Sequence, residues 1–268
     1  MTTILLTNDD GIRATGIALL RRALDGLGDV LTVAPERDAS GVARGITIRR
    51  PLRATSTPFG EGADKDAFLG YGLDGTPVDC VRVGLLAALA PRPDLIVSGI
   101  NFGANMGNDL TYSGTVGATL EGALHGVPGI AFSVESLTPS HMETMVPVVR
   151  SIVEHMLAVP LPFGTVLNVN LPDRPRSEVL GLRVTSLGGT SRHDRVLLQT
   201  DGSKPQEYWL KYDREAMEPW VSTDFEAVAE GYVSLTPIHY ELTSRSGLAA
   251  LAERPLHELI RDEAGDRE

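Results

Sequence analysis

Two adjacent carboxylates follow the first apolar segment of the chain and are its most chemically suggestive residues. Asp9 and Asp10 come directly after the apolar run Ile4-Leu5-Leu6 and precede Gly11. Neighbouring negative charges repel each other unless a positive group lies between them, and a divalent cation that takes oxygen ligands is the simplest such group. The alternative is an Asn- and Asp-rich turn that caps a helix. Both interpretations remain open on this stretch alone.

Other polar loops follow later predicted strands and offer further oxygen ligands. Ser40 follows the second predicted strand, and Asn101 follows a predicted strand at 94–98. The carboxyl ends of parallel strands share one edge of a sheet, so we expect these two side chains to converge with Asp9 and Asp10 on one cleft. Two charged and two neutral oxygens suit Mg²⁺ or Mn²⁺ and do not suit structural zinc.

A helix-start signal near the same cleft is typical of an anion site. Ser113-Gly114-Thr115 offers free backbone N–H groups and two hydroxyls at the predicted start of a helix. A metal beside a phosphate site favours metal-assisted hydrolysis of a phosphomonoester, in which Asp9 or Asp10 also gives or takes a proton. The alternatives are that Ser113 is an ordinary N-cap and that Asn101 and Asn105 are turn residues.

Histidine and cysteine add little to this site. The six histidines show no metal-ligand spacing, and His193 is a candidate acid for the leaving group or a solvated loop residue. Cys80 is the only cysteine, so no intramolecular disulfide can form, and we interpret it as a small buried hydrophobe.

The composition limits the partners that the protein can have. Its 268 residues carry a formal net charge of −11, which argues against a nucleic-acid-binding surface. No apolar run approaches the roughly 18 residues that span a bilayer, and the first residues do not have the pattern of a secretory signal. We therefore expect a cytoplasmic protein that does not bind membranes.

Strand-like and helix-like segments alternate through the first 180 residues. Predicted strands cover 3–7, 29–34, 94–98, 129–134 and 165–171, short extended pieces cover 45–51 and 67–73, and predicted helices cover 16–27, 76–89, 115–125 and 139–157. This alternation predicts an α/β fold with a mostly parallel sheet covered by helices on both faces. Beyond it, an irregular segment with isolated aromatic residues predicts a hairpin arm used in oligomerisation, followed by a strand at 233–242 and a helical end.

Several motifs appear in a fixed order along the chain. They are LTNDDG at 6–11, APERDASG at 34–41, GTPVDCV at 75–81, PDLIVSGINFGANMG at 93–107, YSGTVGA at 112–118, NVNLP at 168–172 and EGYVSLTP at 230–237. With these motifs the chain resembles the SurE survival-protein family of nucleotidases from about residue 3 to residue 243.

The resemblance implies a phosphatase that hydrolyses nucleoside 5′- and 3′-monophosphates with one Mg²⁺ or Mn²⁺ per subunit. It places the metal ligands on Asp9, Asp10, Ser40 and Asn101, and the phosphate-binding groups on Asn105, Ser113, Gly114 and Thr115. It also implies a Rossmann-like three-layer sandwich and a C-terminal arm exchanged between the subunits of a homodimer or homotetramer. We accordingly divide a single SurE-like domain into a catalytic core at 1–184, an arm and returning strand at 185–243, and a helical tail at 244–268.

The chain departs from the family pattern in one loop. Glu36 and Asp38 stand where Asp and Asn are more common, and Ala43 and Arg44 replace small polar residues. None of these residues is a proposed ligand, so the departures bear on loop structure and substrate preference.

Three other functions compete with this hypothesis. A haloacid-dehalogenase-type phosphatase normally has its second Asp two residues after the first, whereas Asp9 and Asp10 are adjacent. A dinucleotide-dependent oxidoreductase is disfavoured because the first strand–helix turn has no Gly-x-Gly-x-x-Gly. A non-catalytic, stress-associated oligomer that binds nucleotides is the alternative from another functional class.

Overall fold

A mixed nine-stranded sheet runs through the middle of the molecule. The computed structural model describes residues 2–60, 67–87, 89–189, 195–199, 207–211 and 222–256. The strands are β1 (Thr3–Thr7), β2 (Asp29–Pro35), β3 (Ala54–Phe59), β4 (Phe68–Leu73), β5 (Leu95–Phe102), β6 (Gly129–Val134), β7 (Thr165–Leu171), β8 (Gly181–Val184), β9 (Arg195–Gln199), β10 (Glu207–Lys211) and β11 (Tyr232–His239). The helices are α1 (Thr15–Ala23), α2 (Pro77–Leu86), α3 (Gly114–Leu124), α4 (Met142–Ala158), α5 (Asp224–Glu230) and α6 (Arg245–Ala252), with 3₁₀ helices at Gly107–Tyr112 and Arg176–Glu178.

The sheet is parallel at its centre and mixed at its edges. Its order is β3-β4-β2-β1-β5-β6-β7-β11-β8. The six strands from β4 to β7 are parallel, β3 is antiparallel to β4, and β11 is antiparallel to β7. This topology confirms the predicted α/β class, and it brings the carboxyl ends of β1, β2, β5 and β6 to one edge.

Helices cover both faces of the sheet and produce three layers. On β1, Ile4 and Leu6 point into a core shared with Ile17 of α1 and Val153 of α4. Leu5 points to the other face, into a core with Cys80 of α2. Successive strand side chains face opposite sides, so an unbroken apolar strand is expected when both faces are buried. The predicted burial of Cys80 is confirmed.

The predicted bounds agree best with the observed ones for strands that are buried on both faces. The strands at 3–7, 129–134 and 165–171 have the predicted bounds. Helix α2 begins with a capping box in which Thr76 and Asp79 bond each other's backbone N–H groups. The extended piece predicted at 45–51 is wrong, because no strand forms there and β3 lies at Ala54–Phe59 instead.

The segment after β8 contains the predicted hairpin. Strands β9 and β10 pair antiparallel, with Tyr208 opposite Leu198. Helix α5 follows and was not expected, and β11 returns to the main sheet beside β7. Within the ranges given above, no helix is long and apolar enough to cross a membrane. The role of the arm in oligomerisation and the proposed domain boundaries remain predictions.

Gly16 sets how closely α1 approaches β5, and its substitution tests that contact. A Cβ atom on Gly16 would lie 1.9 Å from the carbonyl oxygen of Ile100. We expect Gly16→Ala to lower the free energy of unfolding by about 2–3 kcal/mol, because backbone rather than a mobile side chain has to move. Denaturant unfolding measures this, with Thr15→Ala as the neighbouring control. Equal stability of the two variants would contradict the predicted close contact.

Candidate active site

Asp9 lies at the carboxyl end of β1 and is held by the start of α3. Its side chain is only 3% exposed, and its carboxylate accepts hydrogen bonds from the Thr115 hydroxyl and from the backbone of Gly114 and Thr115. Burial raises the pKa of Asp9, and these hydrogen bonds oppose the rise. The N-terminus of a helix stabilises a nearby anion, so α3 fixes this carboxylate in place.

Asp10, the second carboxyl of the pair, also has a raised pKa. Burial raises the pKa of its carboxyl from 3.8 to about 7, and the charges of Asp9 and Asp38 contribute to the rise. A hydrogen bond from the backbone of Phe102 opposes it. A second negative charge at this position is therefore unfavourable without a cation, as the sequence analysis anticipated.

Residues next to the other two predicted ligands contact the aspartate pair. Ser40 donates its hydroxyl and its backbone N–H to Asp38, at 2.6 and 2.8 Å, and the Asp38 charge acts on Asp10. The N–H of Ala39 donates to the backbone oxygen of Asp9 at 2.8 Å. Asn101 immediately precedes Phe102, whose backbone bonds Asp10. These contacts place the Ser40 loop and the end of β5 beside the aspartate pair, and the joint coordination of one cation by Asp9, Asp10, Ser40 and Asn101 remains a prediction.

The donor atoms fit a hard divalent cation. Asn101 uses its amide nitrogen to donate to the Gly103 oxygen at 2.7 Å, which directs the amide oxygen elsewhere. Ser40 uses its hydrogen on Asp38, so its oxygen lone pairs remain able to bind a cation. In the part of the chain that the structure describes, no three His, Cys, Asp or Glu side chains form a metal cluster. Two carboxylates with two neutral oxygens are instead a set that Mg²⁺ or Mn²⁺ accepts together with water.

Three buried side-chain oxygens without a hydrogen-bond partner in the described part of the chain belong to β1, to β5 and to the residue that precedes Asp9. Thr7 Oγ1, Asn8 Oδ1 and Ser98 Oγ have no hydrogen-bond partner among the described residues, although all three side chains are fully buried. Thr7 and Ser98 are register partners on β1 and β5. Such atoms normally find a partner in protein, water or an ion.

The loop that carries Ser40 is held by polar contacts with the helices beside it. Ala43 donates its N–H to the oxygen of Tyr112, and Thr47 donates to Asp79 at 3.0 Å. Arg44 lies 3.8 Å from Glu121, a carboxylate on α3 whose side chain is only 8% exposed. Within 45–51, the N–H of Thr47 and the oxygen of Gly45 bond Asp79 and Thr76 at the start of α2, and this explains why the segment is not a strand.

The predicted phosphate-binding residues occupy the same edge, but several already have partners. Ser113 is the N-cap of α3 and accepts the N–H of Val116 at 3.1 Å. Gly114 and Thr115 hydrogen bond to Asp9, so the anion at this helix start is a side chain of the protein itself. A phosphate would have to share these donors. The assignment of Ser113, Gly114 and Thr115 to phosphate binding remains a prediction.

Asn105 is fixed by a buried polar group that the sequence analysis did not assign. Its amide nitrogen donates to Ser133 Oγ at 2.8 Å, and its backbone N–H donates to Asn170 Oδ1 at 2.9 Å. The amides of Asn168 and Asn170 both donate back to its carbonyl oxygen, at 2.8 and 3.1 Å. Two asparagines on the same face of a buried strand are unusual, and this pattern was the available signal for them.

Removing the charge of Asp10 is expected to stabilise the protein when no metal is present. A folded-state pKa of about 7 against 3.8 means that the stability contributed by Asp10 is lost as the pH rises through 7. In chelator, Asp10→Asn should therefore raise Tm at pH 8 by on the order of 3 °C more than at pH 5. Differential scanning calorimetry at the two pH values measures this. A pH-independent difference would contradict the raised pKa of Asp10.

The family model and the relatives that match this chain all come from one protein family. The family model described as "Survival protein SurE" matches residues 4–194. The 5′-nucleotidase SurE of Nitrosococcus oceani is 41% identical over 249 residues, which cover 93% of this chain and 96% of that protein. The 5′/3′-nucleotidase SurE of Cronobacter sakazakii is 42% identical over 243 residues, covering 91% and 92%.

A solved structure agrees with the sequence matches. The crystal structure of the SurE protein from Aquifex aeolicus superimposes with a TM-score of 0.79 and 38% sequence identity, covering 93% of this chain and 98% of that chain. The candidate His193 lies outside the described residues, so its position adds nothing to the comparison. The matched family model, the relatives and the shared fold lead to one conclusion: the chain belongs to the SurE survival-protein family.

Proposed function

We propose that this protein is a divalent-metal-dependent phosphatase that releases phosphate from nucleoside 5′- and 3′-monophosphates. The observation that carries the proposal is the pair of carboxylates at the end of β1, Asp9 buried and Asp10 half-buried, with the start of α3 hydrogen-bonded to Asp9. The names of the relatives, 5′-nucleotidase and 5′/3′-nucleotidase, support the same substrate class for this chain.

Four side chains would hold the cation: Asp9, Asp10, Ser40 and Asn101. When bound, a cation of this kind supplies Lewis-acid chemistry, because it offsets phosphate charge and lowers the pKa of water. The Thr115 hydroxyl and the start of α3 orient Asp9 for this role. Phe102 orients Asp10 through its backbone hydrogen bond.

The remaining roles are binding of the phosphate and transfer of protons. In this proposal the second N–H of the Asn105 amide binds a phosphate oxygen, and the donors at the start of α3 would be shared between Asp9 and the phosphate. Water attacks phosphorus, the ester P–O bond breaks, and the leaving nucleoside oxygen takes up a proton. The carboxylate pair supplies the acceptor for the proton that the attacking water loses.

A cleft next to the carboxylates is our proposed place for the nucleoside. It has a volume of 400 Å³ and is lined by Glu36–Ala39 on one side and Leu73–Gly75 on the other. Both walls lead into the site: Ala39 bonds Asp9, and Pro77, two residues after Gly75, lies 3.0 Å from a Cβ built on Gly114. The volume is within the usual range for small-molecule sites.

The charge of this cleft predicts a preference for monophosphates. Among the described residues that line it, Glu36, Asp38 and Asp74 are acidic and Arg37 is the one cation, and Asp74 is paired with Arg50 at 3.0 Å. We expect kcat/KM for AMP to exceed that for ATP by at least about tenfold, because the acidic lining repels additional phosphates. Glu36→Lys should reduce this ratio several-fold, whereas Glu154→Lys on the surface of α4 should not. Equal ratios in both variants would contradict the placement.

Phosphate release from a panel of nucleotides tests the proposed function. Chelated protein should be inactive on AMP and on 3′-AMP, and Mg²⁺ or Mn²⁺ should restore release. Nucleotide binding without phosphate release under any metal would instead favour the non-catalytic binding protein. Trapping of a phosphorylated aspartate would favour the haloacid-dehalogenase mechanism.

Homodimer or homotetramer assembly and a cytoplasmic location belong to the same proposal. The antiparallel pair β9–β10 is the feature that supports an arm for assembly. Light scattering on the purified protein distinguishes a monomer from a dimer or tetramer.

A further inference from the structure

A carboxylate far from the metal site in sequence is tied to the loop that carries Asn105. Asp224 is the first residue of α5, and its side chain is 0% exposed. It accepts three backbone hydrogen bonds, from Gly107 at 2.8 Å, Gly188 at 2.9 Å and Phe225 at 3.0 Å. Burial raises the pKa of Asp224, and these three N–H groups oppose the rise.

The three bonds of Asp224 join segments that are distant along the chain. Gly107 is two residues from Asn105, in the loop after β5. Gly188 lies just before the hairpin arm, and Asp224 lies just after it. The two ends of the arm are also fastened to each other, since Ser186 forms a bridge with Thr223 and accepts the N–H of Asp224 at 3.0 Å. Asp224 therefore connects the root of the arm to the loop of the active site.

Close packing reinforces this connection. A Cβ atom on Gly107 would lie 2.6 Å from Phe225 Cε2 and 2.7 Å from the Gly188 oxygen. A Cβ atom on Gly188 would lie 2.5 Å from Phe225 Cδ2. Gly107 also has a φ of +55°, which other residues rarely adopt. The ring of Phe225 thus fills the space between two glycines, and the loop cannot shift toward it.

Two separate sets of hydrogen bonds hold the loop. Asn168, Asn170 and Ser133 of the sheet hold Asn105 itself, as described above. Asp224 holds Gly107 from the side of the arm. Only Met106 separates the two anchored residues, Asn105 and Gly107, so release of Gly107 is transmitted directly to Asn105. A displacement of about 1 Å is enough to cost a site around 100-fold in rate.

We propose that Asp224 is a positioning residue for phosphate binding: it sets the place of Asn105 through Gly107, and it links that place to the root of the arm. The inference rests on the proposed function in assigning phosphate contact to Asn105. If Asp224 has this role, the segments at the root of the arm, 186–188 and 223–224, and the Asn105 loop should lose their protection from hydrogen exchange together.

Asp224→Asn is the variant that tests this role, because it keeps the shape of the side chain and replaces an acceptor oxygen by a donor. Asp173→Asn is the matched control: Asp173 also accepts backbone N–H groups, those of Ser140 at 3.0 Å and His141 at 2.9 Å, and does not bond the Asn105 loop. Both proteins are compared with wild type as full-length chains, below the lower of their Tm values.

Hydrogen exchange provides the first measurement, and it does not require activity. In Asp224→Asn, we expect faster exchange of amides at 103–109 together with those at 186–188, and no such change in Asp173→Asn. The second measurement is the inhibition constant of inorganic phosphate and the KM for AMP, which should both rise about tenfold in Asp224→Asn. The Kd of Mn²⁺ should stay within twofold, since the cation ligands are not touched.

Two results would overturn the inference. Unchanged exchange at 103–109 would show that Asp224 does not hold the loop. Faster exchange with an unchanged inhibition constant for phosphate would show that the loop position does not govern phosphate binding. If wild-type protein releases no phosphate from any nucleotide, the proposed function fails separately, and exchange together with the binding of inorganic phosphate still decides the role of Asp224.

Discussion

Asp10→Asn will reduce phosphate release from AMP by at least about a thousandfold. The substitution leaves the size of the side chain unchanged and removes one of the two charges that attract the cation. Metal ligands of this kind contribute several kcal/mol to the transition state, and each 1.4 kcal/mol corresponds to a factor of ten in rate. The burial that raises the pKa of Asp10 makes its charge expensive in the absence of a metal, so the charge is retained for a reason other than stability.

The loss of phosphatase activity should occur only when an Asp→Asn substitution is made at the carboxyl edge of the sheet. Asp29→Asn at the exposed amino end of β2 is the matched control, because it makes the same chemical change at the opposite edge. Steady-state phosphate release at saturating Mn²⁺ measures both variants. Activity of Asp10→Asn within tenfold of wild type would contradict the proposed role of Asp10 as a metal ligand.

Gly114→Ala is expected to lower kcat for AMP by about a hundredfold while the protein stays folded. A Cβ atom at this position would lie 2.9 Å from Asp9 Cβ, 3.0 Å from Asp9 Oδ2 and 3.0 Å from Pro77 Cγ. To make room for this Cβ, either the Asp9 carboxylate or the start of α2 has to move. Alanine is otherwise a better helix residue than glycine by roughly 0.5–1 kcal/mol, so helix propensity does not explain a loss.

The comparison that isolates this contact uses another helix start. Gly247 lies in the first turn of α6, where, among the described residues, a Cβ would meet the Ser244 side chain alone, at 3.0 Å from Oγ. Gly247→Ala should therefore leave kcat unchanged. The readouts are kcat and the Mn²⁺ Kd, and we expect Mn²⁺ to bind more weakly to Gly114→Ala. Unchanged values of both would mean that the Gly114 backbone does not need to approach Asp9.

The sequence predicted the central strands and the cation ligands for one physical reason. An apolar strand buried on both faces is recognisable by itself, and in a parallel sheet the polar residues that follow such strands come to the same edge. From the sequence, Asp9, Asp10 and Ser40 are expected at one edge of the sheet without any knowledge of strand pairing. It did not predict the length of β5, which continues through Asn101.

Features whose structure depends on residues distant in the chain could not be predicted from the sequence. The segment at 45–51 is polar and extended in pattern, but Asp79 and Tyr112 bond the loop and no neighbouring strand pairs with it. Ser113-Gly114-Thr115 has the pattern of a phosphate site, and only the structure shows Asp9 already at that helix start. Asp224 is far from the site in sequence, and nothing local marks it as a partner of Gly107.

Anomalous diffraction at the manganese edge tests the central claim most directly. Crystals of the full-length protein soaked in Mn²⁺ should show a strong peak within coordination distance of Asp9 and Asp10, with Ser40 and Asn101 also facing it. The same soak of Asp10→Asn crystals should give a much weaker peak. A wild-type peak located elsewhere, or none at this position, would contradict the account of the paired aspartates as the metal site of the enzyme.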